Sequence, residues 1–295
     1  MRAARVLICA ALAGMLAAPS CGAAELVERG VAVWEGSEAE FGGFSGLAVD
    51  ADGGGFLAIN DIGWIYHVVV RRDEDGRIAA IGTDWHRELP DKPGSQIDSF
   101  ERDAEALTRG ADGTLYLGYE SLTRVVSLRQ PDLVPTYLHD WQRFRPLWGN
   151  ESIEALAARP EGGLIAVLEV AGEDGGYATL MWNGGDWTDG APIDGAGDYA
   201  ASDATFGPDG RLYLLERRVT FFGNFATRIR RFDWNGNGAV GVGEVLLETD
   251  PGTLDNMEGI CVWRDAADRS IVTLISDDNF RSLQTTIVAE YEVRE

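Results

Sequence analysis

The run Asp103-Ala104-Glu105-Ala106-Leu107-Thr108-Arg109-Gly110-Ala111-Asp112-Gly113-Thr114-Leu115-Tyr116-Leu117-Gly118-Tyr119-Glu120 decides the fold. Its two halves are short apolar stretches that read as strands. The Asp112-Gly113 dipeptide between them admits the positive φ that closes a hairpin. The same cassette recurs as Phe44-Ser45-Gly46-Leu47 up to Asn60-Asp61, Ser152-Ile153-Glu154-Ala155 up to Leu168-Glu169, Ser202-Asp203-Ala204-Thr205 up to Leu215-Glu216, and Met257-Glu258-Gly259-Ile260 up to Ser276-Asp277. Asp52-Gly53, Glu161-Gly162 and Asp209-Gly210 supply the corresponding turns. With Gly46, Glu105, Glu154, Asp203 and Glu258 taken as equivalent, the copies lie 59, 49, 49 and 55 residues apart. A period near 50 residues with no sustained helical periodicity predicts an all-β chain, a β-propeller of four-stranded blades.

Five cassettes predict five blades. A sixth would have to be a partial blade within 182–199. Further β-rich runs follow each cassette, at 65–70, 123–128, 228–232 and 286–291. The fifth copy has only three strands before the chain ends, whereas Leu26 to Trp34 is a lone strand before the first. That N-terminal strand is expected to complete the last blade, a closure that limits exposed sheet edges.

Outward from the repeats, residues 1–24 carry Arg2 and Arg5, an apolar run from Val6 to Ala18 and a small-residue end at Gly22-Ala23-Ala24. This is the pattern of a secretory signal peptide, with 25–295 as a single propeller domain. A periplasmic or secreted product is expected. Lipid attachment at Cys21 is the lesser alternative, because Pro19 and the lack of a Leu three residues earlier make a poor lipobox. No later apolar stretch reaches the roughly 18 residues that span a bilayer. The net charge is −23, and losing Arg2 and Arg5 takes it to −25. Such a surface repels nucleic acid and anionic membranes. Cys9 and Cys21 leave with the leader, so Cys261 has no internal partner.

The first strand of a blade lines the axis, where space is tight, and Ala104, Ala106, Ala155 and Ala157 flank the acids there. Glu105, Glu154, Asp203 and Glu258 take equivalent places on these strands, and Asp61, Glu120, Glu169, Glu216 and Asp277 recur at the ends of the second strands. So many like charges in one channel cost several kcal/mol per ion unless cations or shared protons compensate. Converging hard oxygens suit Ca2+ better than Mg2+, which demands a regular octahedron. The competing reading has these acids capping turns or pairing with Arg124, Arg217 and Arg218 at blade junctions.

A second calcium signal is independent of the ring. Residues 233–244 fit the twelve-residue loop D-x-[DN]-x-[DN]-G-x5-E, with Asp233, Asn235, Asn237, Ala239, Gly241 and Glu244 as ligands, Gly241 through a water. The flanks are strands, so the expectation is a calcium loop set in a hairpin, the competing one a plain Asn-Gly hairpin. Gly43-Phe44-Ser45-Gly46-Leu47 lacks the second glycine of a serine-hydrolase elbow. His67, His86 and His139 have no zinc spacing, and there is no phosphate loop or dinucleotide fingerprint.

Taken together, Gly43-Phe44-Ser45-Gly46-Leu47, Asp103-Ala104-Glu105-Ala106-Leu107, Asn150-Glu151-Ser152-Ile153-Glu154-Ala155-Leu156, Leu215-Glu216-Arg217, Asn256-Met257-Glu258-Gly259-Ile260 and Ser276-Asp277-Asp278-Asn279 resemble the phytase-like propeller family with esterase-like activity of phytase. The resemblance runs over roughly residues 41–291. It implies hydrolysis of phosphoric or related esters of small molecules. Glu105, Glu154 and Glu258 would take part in catalysis, with one carboxylate activating water, and Arg217 would hold the phosphoryl oxygens. Lys92 is the chain's one lysine, so an acidic site accepts phosphate only if a cation inverts its potential. The same carboxylates would also serve a lactonase or a glycoside hydrolase. The non-enzymatic alternative is a propeller with a structural ion that binds a partner or ligand.

Overall fold

A computed structural model describes residues 23–90, 101–138, 141–147, 152–195, 197–221, 223–281 and 284–295. The expected leader up to Gly22, Lys92 and the Asn150-Glu151 pair lie outside the described residues. Strand β1 (Glu25–Val33) comes first. It is followed by β2 (Phe44–Val49), β3 (Gly55–Asn60), β4 (Trp64–Arg72) and β5 (Ile78–Glu88), an antiparallel sheet in simple sequence order. The second sheet is β6 (Ala104–Arg109), β7 (Leu115–Tyr119), β8 (Arg124–Arg129) and β9 (Val134–Tyr137), and one helical turn α1 (Trp141–Phe144) leads on. The third is β10 (Ile153–Ala158), β11 (Leu164–Ala171) and β12 (Gly176–Trp182), with β13 (Trp187–Asp189) and β14 (Ile193–Asp194) both paired to β12. The fourth is β15 (Ala200–Phe206), β16 (Leu212–Val219), β17 (Phe225–Trp234) and β18 (Ala239–Glu248). The fifth holds β19 (Asn256–Arg264), β20 (Ser270–Asp277) and β21 (Ile287–Arg294), completed by β1 on the outside of β21.

The first strands touch in turn, β2 to β6, β6 to β10, β10 to β15, β15 to β19 and β19 back to β2. The fold is therefore a five-bladed β-propeller. The 182–199 stretch belongs to the rim of the third blade, not to a sixth. Closure follows the expected plan, with β1 antiparallel to β21 from Glu25 opposite Arg294 to Val33 opposite Ile287.

The acidic turns work as the residue types dictate. Gly53, Gly113 and Gly210 take φ of 67°, 82° and 75°, and the Asp before each accepts a backbone N–H two residues on, at 2.8, 3.0 and 3.1 Å for Asp52, Asp112 and Asp209. The core is five apolar layers, each wedged between neighbouring blades. The layer at the closure is aromatic. Trp34, 1% exposed, stacks on Phe44 at 4.4 Å and meets Phe56 and Tyr66 edge-on at 5.7 Å.

Candidate active site

Each blade carries one β-bulge between its first two strands. The bulges lie between Phe44 and Gly46, Ala104 and Ala106, Ile153 and Ala155, Ala201 and Asp203, and Met257 and Gly259. The extra residue, which the bulge turns out of the pleat, is in turn Ser45, Glu105, Glu154, Ser202 and Glu258. On the second strands, the residue just past the partner of the pre-bulge position is Asp61, Glu120, Glu169, Arg217 and Asp277. These are two five-membered tiers around one axis. All of the second tier, and all of the first except Ser202, line an axial cavity of about 290 Å3, together with Gly43 and Asn279.

This register corrects the expected ring in the fourth blade by one residue. Ser202, not Asp203, is equivalent to Glu105, and Arg217, not Glu216, is equivalent to Glu120. Asp203 occupies the place of Gly46, Ala106, Ala155 and Gly259, deeper on the axis. There a Cβ on Gly46 would lie 2.8 Å from the Leu107 nitrogen, and one on Gly259 3.1 Å from the Gly46 Cα. Fully buried, Asp203 accepts the N–H of Ala204 at 2.8 Å and of Ile260 at 2.9 Å, and that of Leu156 as well. It ties blade four to its neighbours. Burial pushes its carboxyl well above the usual range against the pull of those amides. Glu216, also fully buried, faces the seam with the third blade. Arg228 and Arg230 each give it two hydrogen bonds, of 2.6 to 2.8 Å, and the Tyr177 hydroxyl donates at 3.1 Å.

The expected calcium loop is laid out as a plain hairpin, and its ligand set does not assemble. Asp233 stands opposite Val240 and Trp234 opposite Ala239, and beyond that pair the strand bulges through Gly241 and Gly243, both at φ 75°, before Glu244 rejoins the ladder opposite Arg231. Asn235 Oδ1 accepts the N–H groups of Asn237 at 2.9 Å and Gly238 at 3.0 Å. Asp233 pairs with Arg211 at 3.0 Å, and Glu244 accepts from Arg231 at 2.8 Å and from the Ala24 N–H at 2.9 Å. An Asn-Gly hairpin and a calcium loop share these residue types, and strand pairing on both sides selects the hairpin.

Among the described residues, the axial cavity has seven carboxylates against one arginine, and the carboxyls are shifted accordingly. Asp61 is pushed up to about 7 by burial and by Asp277, Asp103 and Asp278. Glu120 reaches about 7 through burial and Asp103, and Glu154 about 8 through burial and Glu169. Burial and Glu154 hold Glu105 well above the usual range, and burial raises Asp277.

The charge is unevenly compensated around the ring. On the fifth blade, Asn256 Nδ2 donates to Glu258 at 2.7 Å and to Asp277 at 3.3 Å. Arg217 donates to Glu258 and to Asn256 Oδ1, and reaches Glu169 at 3.2 Å. The second blade has the same three positions with Asp103 in place of Asn256. There, carboxylate oxygens of Asp103, Glu105 and Glu120 all lie within 4.8 Å of one another, and no arginine among the described residues pairs with any of the three. That is the group of acids among the described residues that can close on one cation.

Sequence reading missed Asp103, Asn256 and Asn279. A signal existed for the first two, since Asp103-Ala104-Glu105 and Asn256-Met257-Glu258 share their spacing. Asn279 reaches the cavity only through a left-handed backbone, φ 50°, which nothing local in the sequence announces. His67 lies away from the cavity, stacked on Trp85 at 5.5 Å and bonded to Asp84 at 3.0 Å.

No curated protein matches the chain. Among solved structures, a PQQ-bound aldose sugar dehydrogenase from Streptomyces coelicolor is 14% identical with a TM-score of 0.47, covering 90% of this chain and 98% of that one. A virginiamycin B lyase from Staphylococcus aureus is 11% identical, with a TM-score of 0.44 and coverage of 91% and 99%. A gluconolactonase from Xanthomonas campestris is 13% identical, with a TM-score of 0.46 and coverage of 84% and 72%. Likeness at this level bears on neither substrate nor mechanism. The sequence match is of another kind: residues 39–280 fit the profile of the phytase-like family described by the esterase-like activity of phytase, and the chain belongs to that family.

Proposed function

We propose that this protein is an exported hydrolase of phosphoric or related esters that works with a divalent cation, Ca2+ by preference, in the axial cavity. The observation that carries the reading is the Asp103, Glu105 and Glu120 cluster, three converging carboxylates without an arginine partner among the described residues. The donor set fits the ion. It is all hard oxygen, as Ca2+ requires, and Asp61 offers a further buried oxygen, Oδ1, that has no hydrogen-bond partner. Export rests on the leader pattern of residues 1–24.

The residues divide the work by their surroundings. Asp103, Glu105 and Glu120 would hold the cation, which supplies the positive charge that lets an acidic cavity accept an anionic ester. Arg217, the one arginine among the described residues that line the cavity, would orient the oxygens of the ester. Glu258 and Asn256 fix the guanidinium in place. Glu154, 6% exposed and held protonated to about 8, is suited to give a proton to the departing alkoxide and recover it from water.

The test is calcium titration of chelator-stripped protein by calorimetry beside a panel of phosphomonoesters and phosphodiesters. Saturable binding with turnover that chelator abolishes is the expected result. No calcium-dependent turnover on any ester would sink the reading. One observation favours a second reading, hydrolysis of a neutral carboxylic ester or lactone: Arg217 is already paired with Glu258 and Glu169, which leaves little free positive charge for an anion. An aryl acetate and a γ-lactone in the same panel decide between them.

A further inference from the structure

Beside the axial cavity lies a cleft of about 850 Å3 between the fourth and fifth blades. Phe225, Leu254 and Phe280 give it apolar surface, and Asn224, Thr253, Arg281 and Gln284 give it polar surface. Asp255, also in its lining, is already satisfied, accepting from Asn256 N at 2.9 Å and Gln284 Nε2 at 2.8 Å. Phe280 joins the two spaces. Its ring packs on Gly43, close enough that a Cβ there would fall 2.5 Å from it, and Gly43 lines the axial cavity.

The backbone that places Phe280 is strained. Asn279 and Phe280 are consecutive left-handed residues at φ 50° and 49°, a conformation costing on the order of 1 to 3 kcal/mol for each residue that is not glycine. It is held by Asp277 Oδ1, which accepts the Asn279 N–H at 2.6 Å, and by Asp278 Oδ1, which accepts the N–H groups of Gly43 and Phe280 at 3.0 Å. The result is an amide at the acid cavity and, one residue on, an aromatic ring at the cleft that stays 46% exposed. Strain and exposed apolar surface converging beside a reaction site are features a fold does not need for its own stability.

We propose that the cleft binds a bulky apolar group on the alcohol side of the ester, of about benzyl size, with Phe280 as the specificity-determining residue. This rests on the axial cavity being the ester site, and the test separates the two. Calcium-loaded protein is titrated with benzylphosphonate and methylphosphonate, which bind without turnover. Wild type is expected to hold the benzyl compound at least tenfold tighter. Phe280→Ala narrows the preference to threefold or less, and Phe280→Leu, which keeps apolar bulk, retains most of it. Equal affinities in wild type, or a preference that survives Phe280→Ala, would overturn the assignment. If neither phosphonate binds, the anion-binding reading of the axial cavity fails by itself. The cleft is then judged by saturation-transfer NMR with benzyl alcohol, where a signal lost in Phe280→Ala sustains it and the absence of any signal overturns it.

Discussion

Replacing Glu154 with Gln tests whether the axial cavity stores like-charge repulsion. The Glu154 carboxyl is nearly buried and titrates at about 8 in the fold against an ordinary 4.5, first from burial and then from Glu169. Between those values the folded chain keeps a proton that the unfolded chain has released. Stability in the absence of cation therefore falls as pH rises through this window. At 1.36 kcal/mol per pH unit, the fold at pH 7 has lost on the order of 3 kcal/mol relative to pH 4.5. Gln mimics the protonated acid and cannot ionise, so Glu154→Gln escapes the loss. In chelator, the variant is expected to melt with wild type at pH 4.5 and some 6 to 12 °C above it at pH 7, since a domain of this size moves roughly 2 to 4 °C per kcal/mol. Thermal melts across pH settle the matter. A gap that does not change with pH, or a variant less stable than wild type at pH 8, would refute the account of a strained acid pocket. Calcium should close the gap from the wild-type side.

Asp103→Asn removes one of three converging carboxylates, and calorimetry should show calcium affinity reduced at least tenfold while the melt in chelator holds or rises. Asp233→Ala, by contrast, is expected to leave the calcium isotherm unchanged, because the 233–244 hairpin spends its acids on Arg211 and Arg231; a lost binding event there would restore the loop reading. Trp34→Ala empties the aromatic layer where the ring closes and should cost about 3 to 5 kcal/mol, read as a lowered urea midpoint; a loss below about 1 kcal/mol would show that closure does not depend on this layer.

The architecture was legible in the repeat alone, because a repeated strand, acid-glycine turn and strand unit can bury its apolar faces only against copies of itself. Five copies and a spare N-terminal strand left little choice but a five-bladed ring closed by β1. Composition likewise marked the axis as acidic. Which acids meet was fixed only by the packing of the blades. In the fourth blade, Ser202 and Asp203, and again Glu216 and Arg217, are adjacent polar pairs, and a side-chain period of two means that a one-residue slip sends each to the opposite face. The bulge that fixes this register comes from pairing with the second strand and leaves no local mark. The same holds for the 233–244 segment, whose residues suit a loop or a hairpin until β17 and β18 pair. Whether Asp103 and Asn256 make a cation site or a neutral network depends on Arg217, contributed by a different blade, and only packing of the fourth blade on the fifth brings that guanidinium beside Glu258.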